Sequence, residues 1–509
     1  MRVLLVVIDA ATPHVVCPAI RTGRLPVLAR LADAGELHER SVSIFPSITP
    51  AATTSIVTGA YPAEHGIAGA SWFDEARAEV AYYGDDFWVI ARRGFGHFVR
   101  DFLLRLNGDR LKAPTLFEMT ERRGRTAASL NYLVFRGNHP HRVRVPRLMA
   151  ALPGVPLSDT VVGPSMLYLG DFAGTRVHPH HATRKKHGLL HRFGMDDEAT
   201  GALLRDMFAH ERPDLTVAYF ADNDFRSHQV GPYAALPVVE EVDRMLGDAF
   251  DAAGGLERVL ADTCVIVTSD HGHCDIHPDA ARAVIRLDRL LGNFRLATLG
   301  RRWRPGDQVM ICPNMRAAQL YLRDPGASLL QAVTKDLLTD PRVDQVIWRT
   351  SLSEPGTSGY TVASGRGRLR FARDDHARTT VLDEFGGRWR VRGHPEVLDL
   401  SIENGVVESA TYPNPFERIA GVLDLDQSGE IWVTAAPGCE FEVPGGSAHV
   451  GGASHGALHA LDSLSPLLIA GAHCRKLPRR VRSVDVAPLC MQALGLSMRY
   501  ASGMPRPRG

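Results

Sequence analysis

The segment Ser43–Gly69, SIFPSITPAATTSIVTGAYPAEHGIAG, carries a threonine placed where a reactive hydroxyl could sit. Pro46 and Pro50 bracket Thr49 and disfavour continuous helix before it, while Ala51–Thr58 has helical composition. The spacing predicts Thr49 at a helix N-terminus. Such an end offers unpaired N–H groups and partial positive charge to an anion. Taken alone, a hydroxyl there reads as an N-cap. The acids and histidines elsewhere in the chain change that reading. Asp9 follows an apolar run, Val3–Ile8; Asp222, Asn223 and Asp224 follow Leu215–Phe220, with His228 four residues after Asp224; Asp270, His271 and Gly272 follow Cys264–Ser269. One aspartate at the end of a strand is a turn former or a cap. Three such ends, two of them with a histidine close behind, offer the oxygen and imidazole donors that a divalent metal requires. A further histidine, His455, stands among small residues in Gly451–Gly471.

These groups need rigid elements to hold them, and the chain supplies a pattern for those. Short, wholly apolar runs alternate with helical periodicity, as in a parallel sheet covered on both faces. Val3–Ile8, Leu215–Phe220 and Cys264–Ser269 are the clearest strands, Thr126–Leu130 is another, and Ser465–Ala470 reads as a return to the buried sheet. Helices are expected over Pro26–Ala34, with Gly35 as its stop, and over Val484–Leu494. Ligands of such sheets bind at the carboxyl ends of the strands, where all the acids above fall. Between Leu287 and Ala448 the runs shorten and alternate, as in Arg388–Arg392 and Glu430–Thr434. The expected organisation is an α/β main domain, residues 1–286 and 449–509, with a smaller α+β insertion over 287–448.

The 509 residues and 45% hydrophobic content allow a large core and suit two lobes. Lys plus Arg number 58 against 57 for Asp plus Glu, so charge gives no case for a nucleic-acid polymer or an anionic membrane as partner. Seven cysteines without a CxxC pair argue against a disulfide framework or a thiolate metal site, and all seven read as buried thiols. The N-terminal apolar run is too short for a signal peptide, and no stretch approaches the roughly 20 residues that cross a bilayer. A soluble cytoplasmic protein is the expectation.

Asp9, Thr49 within FPSITPAATTSIVTGAYPAEHGI, Asp224 and His228 in YFADNDFRSHQVGP, SDHG at Ser269–Gly272 and SHG at Ser454–Gly456 together resemble the alkaline phosphatase superfamily, and within it the type I phosphodiesterase and nucleotide pyrophosphatase family. The resemblance implies a mostly parallel sheet with two divalent ions, usually zinc, at its C-terminal edge; manganese or another divalent ion would also suit. Carried over by position, Asp9, Asp270 and His271 would hold one ion with the Thr49 hydroxyl, and Asp224, His228 and His455 the other. His273 and His277 read as supporting or surface histidines. The implied reaction is metal-dependent hydrolysis of phosphodiester or pyrophosphate bonds through a phosphothreonine on Thr49, on a small phosphorylated substrate such as a nucleotide. A phosphomonoesterase, a phosphonate hydrolase and a phosphoryl-transfer enzyme are alternatives on the same fold, and a catalytically silent binding protein is the alternative from another class.

Two departures from the family pattern bear on substrate. Where the family carries a phosphate-binding asparagine shortly after HGI, this chain has Ala70. Asn131 and Arg136, in LNYLVFRG, are the candidates to replace it, and Trp72 and Phe73 the candidates for an apolar wall. The residues after Thr49 lack the pattern from which a sulfatase makes formylglycine. The basic run His178–His187 reads as a solvated loop.

Overall fold

The computed structural model describes residues 1–83, 99–144, 160–174, 194–374, 380–444 and 446–498. The basic run His178–His187 lies outside them.

The first strand, Arg2–Ile8, is apolar throughout after Arg2 because both its faces are covered. Val3, Leu5 and Val7 enter one core together with Val217, Tyr219 and Ile266, whereas Leu4, Val6 and Ile8 enter a second with Ala218, Phe220 and Val267. Helices Thr49–Thr58 and Val486–Ala493 cover the first face through Ala52, Ile56, Val486 and Cys490. Helices Asp197–His210 and Pro232–Ala252 cover the second through Leu204, Leu236, Val239 and Leu246.

Among the described residues this main sheet has nine strands. Arg2–Ile8 lies between Leu215–Phe220 and Thr263–Thr268 and runs parallel to both, with Ile8 opposite Phe220 and Val7 opposite Thr268. Ala127–Leu130 and Met166–Leu169 continue the parallel set. The α/β architecture with helices on both faces is therefore as the apolar runs foretell, and the loops that carry Asp9, Asp224 and Asp270 leave three adjacent strands at one edge.

Three features differ from the sequence reading. Gly35 does not merely stop a helix, which ends at Asp33; it begins a strand, Gly35–Val42. GELHERSV escapes pattern recognition because most of it is exposed or half-buried, and its pairing is interrupted between His38 and Ser41. Leu464–Gly471 is a strand of the sheet but runs antiparallel, wedged between Gly35–Val42 and Thr263–Thr268. Finally, Cys264 and Cys474 form a disulfide with Cα atoms 5.5 Å apart, so not every cysteine is a free thiol. The two are 210 residues apart, and only the pairing of Cys264 with Gly471 across the sheet brings them together.

Among the described residues a second sheet has ten strands, which fall between Val309 and Ala435. Helix Ala327–Leu337 packs on one face through Leu330, Val333 and Leu337. Helix Pro415–Leu423 packs on the other through Phe416 and Ile419, beside Trp389 and Trp432. Phe45, four residues before Thr49, is in the same core and meets Trp432 edge-on at 5.2 Å, so the second sheet braces the Thr49 segment directly. Where the chain leaves and rejoins the main sheet, Cys274–Asp275 pairs with Ala453–Ser454, and Val284–Arg286 with Glu440–Glu442.

Candidate metal centre

Helix Thr49–Thr58 begins with Pro50 in its first turn, and its N-cap position, Ile48, makes no side-chain capping bond. Thr49 is thus the first helical residue, and its hydroxyl is turned to His271, with Oγ1 and Nε2 3.1 Å apart. Around it, His271 Nε2 lies 3.4 Å from Asp9 Oδ1 and 3.4 Å from Asp270 Oδ2. Asp224 and His228 are one turn apart on helix Asp222–Val230, so both project from the same face, with Asp224 Oδ2 and His228 Nε2 3.4 Å apart. His455 Nε2 lies 3.8 Å from Asp224 Oδ1 and its ring stacks on His271 at 3.7 Å between centroids. Asp9, Thr49, Asp224, His228, Asp270, His271 and His455 therefore converge at one sheet edge.

The imidazoles are oriented alike. His228 Nδ1 meets the Ala453 carbonyl at 2.7 Å, His455 Nδ1 the Ser47 carbonyl at 2.8 Å and His271 Nδ1 the Gly272 carbonyl at 3.2 Å. A carbonyl only accepts, so each Nδ1 carries a proton and each Nε2 is the atom turned to the cluster, the orientation that metal-binding histidines have. Gly452 permits one of these contacts. A Cβ there would lie 2.0 Å from the His228 carbonyl oxygen, so only glycine lets the chain bring Ala453 alongside that helix.

The residues present fit divalent cations. Asp9 Oδ1, Asp270 Oδ2 and the Nε2 atoms of His228 and His455 are buried without a hydrogen-bond partner, while Asp224 Oδ1 and His273 Nε2, also buried, have only each other at 2.9 Å. Leaving a buried polar group unpaired costs about 1–3 kcal/mol, more if it is charged. A tetrahedral zinc site with bonds near 2.0–2.1 Å separates its ligand atoms by roughly 3.3 Å. The 3.1 to 3.4 Å spacings around His271 and between Asp224 and His228 match that edge. Two groups of donors lie close enough to share an ion: Asp9, Asp270 and His271, and Asp224, His271, His273 and His455.

Electrostatics point the same way. Burial, followed by the carboxylates of Asp270 and Asp224, holds the Asp9 carboxyl well above the usual range. A cation beside Asp9 would offset that burial and repulsion and let its carboxyl ionise. Burial disfavours a charged His228, yet the Asp224 carboxylate outweighs it and lifts the imidazole to about 9. Burial pushes His273 down to about 3.

Several supporting groups carry no sequence motif. The Tyr219 hydroxyl donates to Asp9 Oδ2, leaving Oδ1 to face the cluster. Asn223 Nδ2 donates to the Asp9 carbonyl at 2.8 Å, and Ser43 Oγ to the Asp270 carbonyl at 2.5 Å. A tyrosine near the end of a wholly buried strand needs a partner for its hydroxyl, which is the one signal that marks Tyr219 in LTVAYF. His273 is the larger revision. It is fully buried, Nε2 is 2.9 Å from Asp224 Oδ1 and Nδ1 is 2.6 Å from Ser227 Oγ, so it belongs to the cluster and not to the surface. His277 is half-buried and bonds the backbone of Asp279. Tyr219→Phe is expected to weaken divalent-metal affinity about 10- to 100-fold by freeing the Asp9 carboxylate to rotate. Competition against a chromophoric chelator measures this, and unchanged affinity would remove Tyr219 from that role.

Asn131 and Arg136 do not replace the missing asparagine. Asn131 donates to the Gly194 carbonyl at 3.1 Å and to Thr200 Oγ1 at 3.0 Å, and accepts from Gly170 N at 2.9 Å. Arg136 clips the scaffold by bonding Glu118 at 3.0 Å and the carbonyls of Leu111 and Ala113. Trp72 and Phe73 are core residues: Trp72 stacks on Tyr83, and Phe73 meets Trp303 and Tyr321 edge-on.

A model of the family described as type I phosphodiesterase / nucleotide pyrophosphatase matches residues 3–456. No curated protein sequence matches significantly. Among solved structures, a phosphonoacetate hydrolase from Sinorhizobium meliloti 1021, in complex with phosphonoformate, is 17% identical over 98% of this chain and 96% of its own, with a TM-score of 0.58. Murine ectonucleotide pyrophosphatase / phosphodiesterase 5 is 15% identical over 98% and 97%, with a TM-score of 0.56. An inactive threonine-to-alanine variant of that murine protein, solved in complex with AMP, gives 16%, 98%, 97% and 0.57. At these identities the likeness is one of fold.

Proposed function

With its match to the family model running from residue 3 to residue 456, the chain belongs to the type I phosphodiesterase / nucleotide pyrophosphatase family, and from that premise we propose that it is a two-metal phosphoric ester hydrolase with Thr49 as nucleophile. The observation that carries the reading is the Thr49 hydroxyl, unused as a helix cap and 3.1 Å from His271 Nε2, at the rim of a buried set of unpartnered carboxylate and imidazole atoms. Asp9, Asp270 and His271 would hold one ion with Thr49; Asp224, His228 and His455 would hold the other, with His273 against Asp224. Divalent ions in such a site, zinc by the mixed Asp and His donors, neutralise charge on phosphoryl oxygens and make a threonine hydroxyl acidic enough to react near neutral pH.

The chain's own groups do the rest. Thr49 Oγ attacks phosphorus in line with the departing ester oxygen, its proton is lost to solvent, and the ester P–O bond breaks to give a phosphothreonine and an alcohol. Water then cleaves the new bond and restores the hydroxyl. The ten-residue helix behind Thr49 turns its positive end toward the phosphoryl group, adding attraction for an anion. The silent binding protein is disfavoured because Asp9, Thr49, Asp224, His228, Asp270, His271 and His455 all keep competent side chains.

A diester is the better substrate on this reading. A monoester adds a negative charge and a third free oxygen, which call for another cation or strong donor. The motif asparagine is replaced by Ala70, and Arg226 is exposed and bonds Gln229 at 3.3 Å. For a nitrophenyl diester and the matching monoester at one pH and metal loading, kcat/KM is expected to favour the diester by about tenfold or more. A tenfold preference for the monoester would replace this reading with a phosphatase.

A further inference from the structure

One turn of the second sheet reaches the metal centre. Strands Val309–Asn314 and Ala317–Leu322 are joined through Met315 and Arg316. Met315 holds a left-handed backbone, with φ 59°, which a residue other than glycine keeps only where its surroundings impose it. The side chains on either side of Met315 grip different loops. Asn314 Oδ1 accepts from the N–H groups of Ala70 at 2.7 Å and Ser71 at 3.2 Å, and its Nδ2 donates to the Ser71 carbonyl at 3.0 Å. Arg316 turns to the segment that carries His455. Its backbone N–H donates to the His455 carbonyl at 2.9 Å, and its guanidinium pairs with Asp462 Oδ2. The other oxygen of that carboxylate, Oδ1, accepts from the Ala457 N–H at 3.2 Å. Gly456, between them, lies so close to the turn that a Cβ would come 2.6 Å from the Asn314 carbonyl oxygen.

Arg316 and Asp462 are both fully buried. Other donors of the guanidinium go to the carbonyls of Cys439 at 3.1 Å and Ala435, the last residue of a second-sheet strand, at 3.0 Å. A buried ion pair adds little net stability, since apolar residues of similar volume often replace one without loss. What it supplies is direction, because the planar fork fixes where Asp462 stands and Asp462 fixes Ala457, two residues past His455. On the opposite side, His455 Nδ1 meets the Ser47 carbonyl, and Ser47 Oγ donates to the Ala457 carbonyl at 2.9 Å. His455 is thus set between the Thr49 segment and the second sheet. The loop with Asp270 and His271 is held by other means. Gly272 N–H donates to the backbone carbonyl of Asp462 at 2.9 Å and Ser43 Oγ to the Asp270 carbonyl at 2.5 Å, neither through the side chains of the ion pair.

We propose that Arg316 is a positioning residue for one of the two ions: through Asp462 it holds His455, so that the second sheet sets the affinity of the ion that Asp224, His228 and His455 would share. The proposal rests on the two-metal hydrolase reading above and deepens it. Removing one partner alone would leave a buried charge, so the pair is replaced together, Arg316→Met with Asp462→Leu. Arg316→Lys is made beside it, because it keeps the charge and loses the fork. Stepwise cobalt(II) binding to metal-free protein is followed by visible absorption. In the double variant the affinity for one ion is expected to weaken about 10- to 100-fold, with the other within about threefold of the parent. Arg316→Lys is expected to lie between. Adding the double substitution to Asp224→Asn, which already lacks a donor to the affected ion, is expected to leave the remaining affinity within about threefold. Equal weakening of both ions, parental affinity for both, a further loss in the Asp224→Asn background, or failure of both the double variant and Arg316→Lys to fold would each overturn the proposal. Two ions in the parent without turnover of any phosphoric ester would remove the hydrolase reading and leave the role of Arg316 standing. Turnover with two ions that neither variant weakens would do the reverse.

Discussion

Replacing Thr49 by alanine is expected to lower kcat by a factor on the order of 10⁴ or more, with the fold and two bound ions retained. The expectation follows from how little else Thr49 does. Its side chain does not cap the helix, whose start is already set by Pro50 and by the Ala51 and Ala52 N–H groups bonding the Ile48 carbonyl. The Asp and His donors around it are oriented by their own partners, among them Tyr219, Ser47 and Ala453. Losing one hydroxyl therefore removes the atom that attacks and leaves the surrounding donors in place. Thr49→Ser keeps the oxygen but loses the methyl that limits its rotamers, so partial activity is expected. Steady-state assays with metal analysis on the same samples decide the matter; an alanine variant within tenfold of the parent kcat would take the nucleophile's role from Thr49.

The second large effect concerns the ions. Exhaustive chelation is expected to abolish turnover and to lower the melting temperature by several degrees, both restored by zinc. Carboxylate and imidazole atoms that are buried and unpartnered without a cation are costly to keep in the folded chain. A ligand present at a thousand times its Kd stabilises the state that binds it by about 4 kcal/mol. Two ions per chain are expected by elemental analysis. Asp224→Asn should lose one of them and retain the other, because Asp9, Asp270 and His271 do not depend on that side chain for their positions. Protein that holds no divalent metal and remains fully active after chelation would overturn the two-metal reading.

The parts of this molecule that could be read from its sequence are those in which one local pattern has one physical cause. LLVVI, LTVAYF and CVIVT are apolar without interruption because both faces are buried, and a strand of that kind looks like little else. Their ends are equally readable, since the acids that leave them fall where ligands of such sheets bind. The spacing of Asp224 and His228 is one helical turn, which sequence reports directly. What escaped depends on encounters between distant segments. Gly35–Val42 is a strand by virtue of its neighbours, not its own polar composition. Cys264 and Cys474 meet through a strand direction that composition does not encode. Asn131 is a candidate phosphate donor by sequence, but its amide atoms are taken by Gly194, Thr200 and Gly170, residues that no local pattern places beside it. Arg316 and Asp462 pair across 146 residues, from segments that no local pattern brings together.

The wedged strand Leu464–Gly471 also constrains how the molecule can come into being. Among the described residues it is the strand that joins Gly35–Val42 to Thr263–Thr268, so the interior of the sheet waits for a segment that follows both by about 200 residues or more. His455, whose ring is seated on the Ser47 carbonyl beside Thr49, arrives just ahead of it. During synthesis the earlier strands can assemble around Arg2–Ile8, but Thr263–Thr268 then presents an unpaired apolar edge, the kind that joins other chains if left uncovered. Residues through Gly471 must therefore have left the ribosome before that edge is closed and His455 reaches the cluster. Closure of the sheet and completion of the donor cluster are in this sense coupled, because a chain that stops short of residues 455–471 has neither His455 nor the strand that covers that edge.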